Sequence, residues 1–511
     1  MSKIYPVIDL FAGAGGLGEG FSSFLPVNGR RPFRTALAIE KDPSAHSTLL
    51  LRSFFKKFSP DKIPVEYWMY AKREITRDEL FSLYPHQADE AKREARCIEL
   101  GKKNHQNVRL LIDQRLCNFK KWVLVGGPPC QAYSMVGRAR MRSTMPDFEK
   151  DERHFLYQEY LKILNDHKPP VFIMENVKGL LSATHSGKRI IEKILRDLKN
   201  PDRAVRSSKS GIGYRLFSLV QQKNHALLEP EDFLVEAEKY GIPQARHRIL
   251  ILGIRSDIDI TPKVLVPGAF PTVAEIIDDL PKIRSSLSRE KDSYERWKHI
   301  LKSVQNERWY SKGKSNGLLN TVNRIDQALE IIDRADLAPG GEVLQHNGCP
   351  AIYQSWFKMG SADFIANHTA RSHMQSDLHR YLFASCYAAV NGKSASLCDF
   401  PKQLLPAHKN VQDGIHKDFF GDRFRVQLGD RPSTTITSHL SKDGHYFIHY
   451  DPSQCRSLTV REAARLQTFP DSFIFEGTRT SQYQQVGNAV PPLLSQQIAE
   501  IIHDILERIR L

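Results

Sequence analysis

Short runs of apolar, largely β-branched residues recur along the first half of the chain: Val7 to Phe11, Val123 to Val125, Val171 to Met174 and Ile249 to Gly253. Each is continuous rather than alternating, the pattern of strands buried on both faces of a parallel sheet between helices. The first half therefore reads as α/β. A charged stretch from Thr76 to Lys103, opened by a Thr76-x-x-Glu79 capping pattern, predicts a solvated helical insertion at about 55–110. Pro201 to Gly213, rich in Ser, Lys, Arg and Gly, predicts a flexible surface loop. After Arg255 the pattern changes to Pro-bounded pieces, a helix opened by Thr272-x-x-Glu275, charged helical stretches to about Arg334 and the Pro/Gly-rich Ala338 to Pro350. Regular structure returns with Thr459-Val460-Arg461-Glu462, which caps an Ala/Leu helix, and with an amphipathic helix from about Pro492 to Ile509. These shifts predict two domains with a boundary near 256–270: residues 1–258, residues 259–480, and a segment 481–511 that returns to the first domain.

Bulk composition narrows the function classes. With 511 residues, 41% hydrophobic and 26% charged, the chain is an ordinary folded protein, and no apolar run approaches the roughly 20 residues of a membrane span. Met1 to Pro6 runs directly into a strand-like segment without a signal-peptide pattern, so the expected location is the cytoplasm. Seven cysteines without a C-x-x-C pair fit neither a disulfide framework nor a zinc site, so no metal is expected. A net charge of +15 either aids solubility or attracts a polyanion such as nucleic acid, and the motifs must decide between the two.

The Val7 strand runs into Ala12-Gly13-Ala14-Gly15-Gly16-Leu17-Gly18, a glycine turn leading into a helix. Such turns let backbone approach a nucleotide closely, and Gly13, Gly15 and Gly18 satisfy G-x-G-x-x-G. Glu40, at the end of the strand-like Ala36 to Ile39, is spaced to hold ribose hydroxyls. Taken alone this suits NAD, FAD or S-adenosylmethionine. A second strand, Val123 to Val125, leads into Gly126-Gly127-Pro128-Pro129-Cys130-Gln131, a small-residue loop that presents one thiol as a nucleophile.

Pro129-Cys130-Gln131 together with Asp9-Leu10-Phe11-Ala12-Gly13-Ala14-Gly15-Gly16 resembles the cytosine-5 DNA methyltransferase family. The resemblance extends to Glu175-Asn176-Val177, to Gln244-Ala245-Arg246-His247-Arg248, to Arg456 through Phe475, and to Gln485 through Pro492, in family order along nearly the whole chain. It implies a class I, Rossmann-like S-adenosylmethionine-binding catalytic domain at 1–258, a smaller target-recognition domain at 259–480, and a C-terminal segment that completes the catalytic domain. A nucleotide-dependent oxidoreductase accounts only for the glycine turn. A catalytically silent DNA binder is disfavoured by the intact Cys130, Glu175, Arg246 and Arg248, and an RNA cytosine methyltransferase by the long second domain.

The chemistry explains the residue types. Cytosine C5 becomes nucleophilic once a thiolate adds at C6, the role of Cys130. Protonation of N3 eases that addition, the role assigned to Glu175. Asn176 orients the Glu175 loop. Arg246 and Arg248 can hold cytosine O2, a phosphate or Glu175, and their family positions imply catalytic support. Phe11, Gly13, Gly15 and Glu40 line the cofactor pocket, joined by Asn488 and Val490, which the resemblance places at the methionine end, and by Asp113 toward the adenine. The target base must be flipped out of a duplex. The expected partner is therefore double-stranded DNA, with Asn367 to Arg380 and Gly429 to Ser438 as candidate DNA contacts. A compact chain with one recognition region looks like a prokaryotic modification enzyme, a monomer acting in restriction-modification or phage defence beside a nuclease encoded nearby.

Overall fold

The computed structural model describes residues 3–27, 29–117, 119–129, 156–185, 187–205, 211–313, 317–406, 411 and 421–510. Contacts divide the chain into two units, one formed by Met1–Lys62, Asp78–Ala269 and Ala489–Leu511, the other by Ile63–Arg77 and Phe270–Asn488.

The first unit is built on an eight-stranded sheet: β1 (Tyr5–Leu10), β2 (Phe33–Glu40), β3 (Ala95–Cys97), β4 (Val123–Gly126), β5 (Val171–Val177), β6 (Tyr214–Phe217), β7 (Leu234–Glu236) and β8 (His247–Arg255). The order is β3-β2-β1-β4-β5-β8-β6, with β7 also paired to β8. β1 to β5 run parallel, whereas β8 is antiparallel to β5, β6 and β7. Every residue of β1 and β4 is buried. Continuous apolar runs suit this position because helices cover both faces and leave no polar face to supply. Ile8, Leu10, Leu37, Leu124, Phe172 and Met174 form one core with the helices His105–Leu116, Leu156–His167 and Ile190–Lys199.

The strand order turns in opposite directions from β1, toward β2 on one side and β4 on the other. The crevice beyond the carboxyl ends of such strands is where open α/β sheets bind ligands. α1 (Gly16–Ser23) follows β1 directly, and the C-terminal helix Pro492–Arg508 packs along it. Ser495 Oγ donates to Leu17 O at 2.8 Å and Gln496 Nε2 to Ser23 O at 3.2 Å.

Two segments differ from the sequence expectation. The charged stretch after Thr76 forms helices Arg77–Leu83 and Pro85–Glu94, and then supplies β3 as the sheet's edge strand. It buries Leu80, Ala88 and Ala91, so it is not simply a solvated insertion. A three-residue strand centred on an arginine carries no periodic signal. In the predicted loop after Pro201, Pro201–Ala204 is a helical turn with Pro201 and Asp202 buried; residues 206–210 lie outside the described residues. Proline at the first helical position presets the required φ.

The second unit packs Tyr294–Lys302, Leu319–Arg334 and Gln375–Asn391 around Trp297, Ile325, Leu329, Tyr381 and Phe383. Gly340–Gln345 pairs antiparallel with Phe364–Thr369. Of the three predicted capping patterns, the two in this unit's Pro-bounded and Ala/Leu helices form capping boxes, Thr272 with Glu275 and Thr459 with Glu462. The helix Val460–Leu466 is buried on every side. Its charges are matched internally: Arg456 pairs with Glu462 through two bonds of 2.7 and 2.6 Å, and Arg465 reaches Asp471 at 2.9 and 2.8 Å and Asp279 at 2.6 Å.

Candidate active site

The turn after β1 is under backbone constraint. Phe11 adopts φ 58°, a left-handed conformation that costs a non-glycine residue about 1–2 kcal/mol. Gly13 (φ 58°) and Gly15 (φ 92°) take the same region without that penalty. A Cβ on Gly13 would meet nothing within 4 Å, so the turn leaves open space beside its backbone. Gly16 has the opposite reason for being glycine: a Cβ there would stand 2.4 Å from Val490 O. The C-terminal helix thus seats Val490 against the turn.

Glu40, at the end of β2, holds this turn. Its Oε2 accepts from Gly13 N at 2.8 Å, and its Oε1 accepts from Lys41 N and Asp42 N at 2.8 Å each. A carboxylate has about four acceptor positions, so one remains for a ribose hydroxyl. Beneath the turn lies Asp9, 1% exposed. Burial pushes its carboxyl up to about 7, against the pull of the Gly18 amide and the Lys56 charge and with the help of the Glu40 charge.

A second cluster forms at the ends of β4 and β5. Gly127, Pro128 and Pro129 lead toward Cys130, which lies outside the described residues together with 131–155. Asn176 Nδ2 donates to Pro128 O at 3.3 Å, and Asn176 Oδ1 accepts from Val177 N at 2.8 Å. Asn176 thereby fixes the loop before the cysteine to the end of β5. The Glu175 carboxylate lies over Gly127, where a Cβ would come within 2.7 Å of Oε2. In the antiparallel register Leu250 opposes Glu175, so Arg248 falls diagonally on the same face. Arg248 Nε lies 2.9 Å from Glu175 Oε1, both side chains 13% exposed. Arg246 is 1% exposed. Burial, followed by the charge of Arg248, holds its guanidinium well below the usual range, and Glu175 opposes the shift.

Phe11, Gly13, Gly15, Glu40 and Val490 therefore gather at one edge of the crevice, and Glu175, Asn176, Arg246 and Arg248 at the other. Asn488 is exposed at the end of helix Arg479–Asn488 in the second unit. Asp113 does not join them. It sits exposed near the C-terminal end of helix His105–Leu116, 3.2 Å from His167 Nδ1, at the amino ends of the strands. The end of β3, by contrast, lies beside Glu40: Ile98 N donates to Glu40 O at 3.0 Å, and Glu99 pairs with Lys41 at 3.2 Å. The predicted DNA-contacting segment Asn367 to Arg380 is buried at Asn367 and His368 and exposed at Ser372 and at Met374 to Ser376. Asn367 exchanges hydrogen bonds with the Phe475 backbone at 3.1 and 2.9 Å, and His368 is buried between Thr459 and Pro281. Asp430 and Arg431, in the other predicted segment, are exposed. Sequence reasoning gave no role to Asp9, Gly127 or Gly16, whose only signal was membership of quoted motifs. Among the described residues no His/Cys/Asp/Glu group could hold a metal ion, and no helix is long and apolar enough to cross a membrane.

A doubly wound sheet with a glycine turn at its switch point, and a carboxylate–arginine pair beside the loop to a Pro-Cys, defines a Rossmann-like group-transfer enzyme. Residues 94–504 match the family model described as C-5 cytosine-specific DNA methylase. The chain is 31% identical to the type II methyltransferase M.Bpa9945I of Bacillus paralicheniformis over 98% of this chain and 99% of that one. It is 26% identical to M.DdeI of Desulfomicrobium norvegicum (99% and 90% covered) and 26% identical to M.AgeI of Thalassovita gelatinovora (97% and 98%), both also type II methyltransferases. The chain belongs to the C-5 cytosine-specific DNA methylase family and is a DNA (cytosine-5-)-methyltransferase.

Proposed function

We propose that the chain is the modification methyltransferase of a type II restriction-modification system, a cytoplasmic monomer that methylates C5 of a flipped cytosine in one short duplex sequence beside a cognate endonuclease. The observation that carries the catalytic half of this reading is the Glu175–Arg248 pair seated on Gly127, in the loop that leads to Cys130. The sheet-bearing unit is the catalytic domain and the second unit the target-recognition domain.

S-adenosyl-L-methionine fits the first edge of the crevice: the open space at Gly13 admits a ligand against backbone, and Glu40 retains an acceptor for ribose. Phe11, Gly13, Gly15, Glu40 and Val490 would hold it, with the end of β3 at Ile98 and Glu99 taking the adenine side in place of Asp113. When bound, it supplies an electrophilic methyl group. The chain's residues do the rest. The Cys130 thiolate adds to cytosine C6 while Glu175 delivers a proton to N3, so negative charge does not accumulate on the ring. Arg248 orients the Glu175 carboxyl, Asn176 fixes the cysteine loop, and the buried charge of Arg246 favours electron density on the base. After C5 is methylated, the N3 proton returns to Glu175, and loss of the C5 proton to water with departure of the Cys130 thiolate restores the ring.

Bisulfite sequencing of DNA from cells expressing the chain, beside a Cys130→Ala control, tests this directly. Protected cytosines in one sequence context, absent in the control, are expected. Protection that survives the substitution would remove Cys130 as the nucleophile, and absence of protection in both would point to an RNA substrate or a silent binder.

A further inference from the structure

Four arginines converge on the β3 edge of the first unit's sheet. Arg34 is the second residue of β2, Arg96 the middle residue of β3; Arg93 lies in the last turn of helix Pro85–Glu94 and Arg115 in the last turn of His105–Leu116. Arg34 and Arg93 are exposed, Arg96 and Arg115 half-buried. Arg115 Nη2 donates to Arg93 O at 3.1 Å, which ties the two helix ends together. Burial, then the charges of Arg93, Arg96 and Arg34, hold the Arg115 guanidinium below its usual range. The one carboxylate that opposes them, Glu94, is already paired with Lys57. Among the described residues none of the four arginines forms an ion pair.

Like charges gathered without counter-charges repel one another, and a polyanion laid across them relieves that repulsion. Guanidinium groups match phosphate oxygens through paired N–H donors, so the chemistry suits a phosphodiester backbone better than an acidic peptide of mixed side chains. Arg34 begins β2 and Arg115 ends the helix that leads into β4, so both mark the amino ends of the parallel strands. The glycine turn and the cysteine loop lie at the carboxyl ends. Arg34, Arg93 and Arg115 are therefore separate from the base pocket, while Arg96, opposite Ile39 in the register, extends the cluster toward the carboxyl end of β2.

We infer that this arginine edge is a second DNA-contacting surface, which holds the phosphate backbone of duplex outside the target site. The inference rests on DNA as the substrate polymer. Its effect is to retain the enzyme on long DNA between turnovers without taking part in base recognition.

The test uses the full chain and a fluorescent random-sequence duplex as probe, with binding measured over a range of salt concentrations. Arg34→Glu/Arg93→Glu should bind about tenfold more weakly at low salt, and the slope of log K against log salt should shrink by about two units, close to 0.9 per lost phosphate contact. The rate of methyl transfer at saturating plasmid DNA should match the wild type. Wild-type affinity and slope in the folded variant would overturn the inference and leave the arginines as guards against pairing at the sheet edge. Loss of the saturated rate with an unchanged melting temperature would overturn it too, by placing these residues in the chemistry. A wild-type protein that methylates no DNA would sink the functional reading instead, while the salt slope would still report on the edge.

Discussion

The proposed role asks Glu175 to be both fixed in place and able to give up a proton. Arg248 at 2.9 Å fixes it, and the missing side chain at Gly127 gives it room over the cysteine loop. Glu175→Gln keeps the shape and an oxygen for Arg248 but has no acidic proton. Single-turnover methyl transfer should slow by about 10²-fold or more, with cofactor affinity retained; an unchanged rate would strip Glu175 of the role. Asp9 makes a different prediction. Its folded value of about 7 lies above the ordinary 3.8, so the folded state binds the extra proton between those values. Stability then falls as pH rises through that window, and the full deficit is present above about 7. Asp9→Asn removes the deficit. The melting-temperature difference, variant minus wild type, should grow more positive from pH 4 to pH 8 on the folded and unfolded values above; a constant difference would show that Asp9 does not titrate in this window. Glu175 and Arg248 were legible in the sequence because strand-end motifs fix their identity. The function of Gly127 was not, since a glycine announces a turn but not which side chain needs its space.

Elements show the same division. The strands β1, β4, β5 and β8 were legible because burial on both faces leaves a continuous apolar run. β3 was hidden by its length. The helix Val460–Leu466 announced its capping box but not its burial, because Arg461 and Arg465 read as surface charges until Asp471, Asp279 and backbone carbonyls are seen around them. Contact between α1 and the C-terminal helix is also a matter of space: Cβ atoms on Gly16 and Gly20 would each fall 2.4 Å from a backbone oxygen, of Val490 and Pro492 respectively. Gly16→Ala must therefore push the C-terminal helix off the cofactor turn. A loss of about 1–3 kcal/mol in stability is expected from such overpacking, accompanied by weaker binding of S-adenosylhomocysteine in calorimetric titration. Gly101→Ala, where a Cβ meets nothing within 4 Å, is the control. Equal cofactor affinity in the two variants would separate the helix contact from the cofactor site.

At the scale of the molecule, the chain leaves the first unit for Ile63–Arg77, returns, leaves again at Phe270 and comes back at Ala489. Composition marked the second departure, where the pattern breaks after Arg255, but not the first, because a fifteen-residue excursion of helix and turn looks like any surface insertion. The final return has a consequence for chain order. Lys3 pairs with Glu507 at 3.3 Å, and Tyr5 also hydrogen-bonds Glu507, so the two ends of the described chain meet on one side of the sheet. Nothing in the sheet requires the chain to begin at β1. The segment Gln221 to Asn224, between β6 and the following helical turn, is exposed, and exposed loop tips tolerate new termini. A circular permutant that links Arg510 to Lys3 through a short glycine-serine linker and opens between Gln222 and Lys223 should fold with a melting temperature near that of the unpermuted chain and retain methyl transfer. It would carry the Glu-Asn-Val strand behind the C-terminal helix in sequence but beside the same neighbours in space. A folded permutant without activity would show that chain order acts on the site in a way these contacts do not carry. An unfolded one would show that β1 to β6 must precede β7 and β8 in the chain.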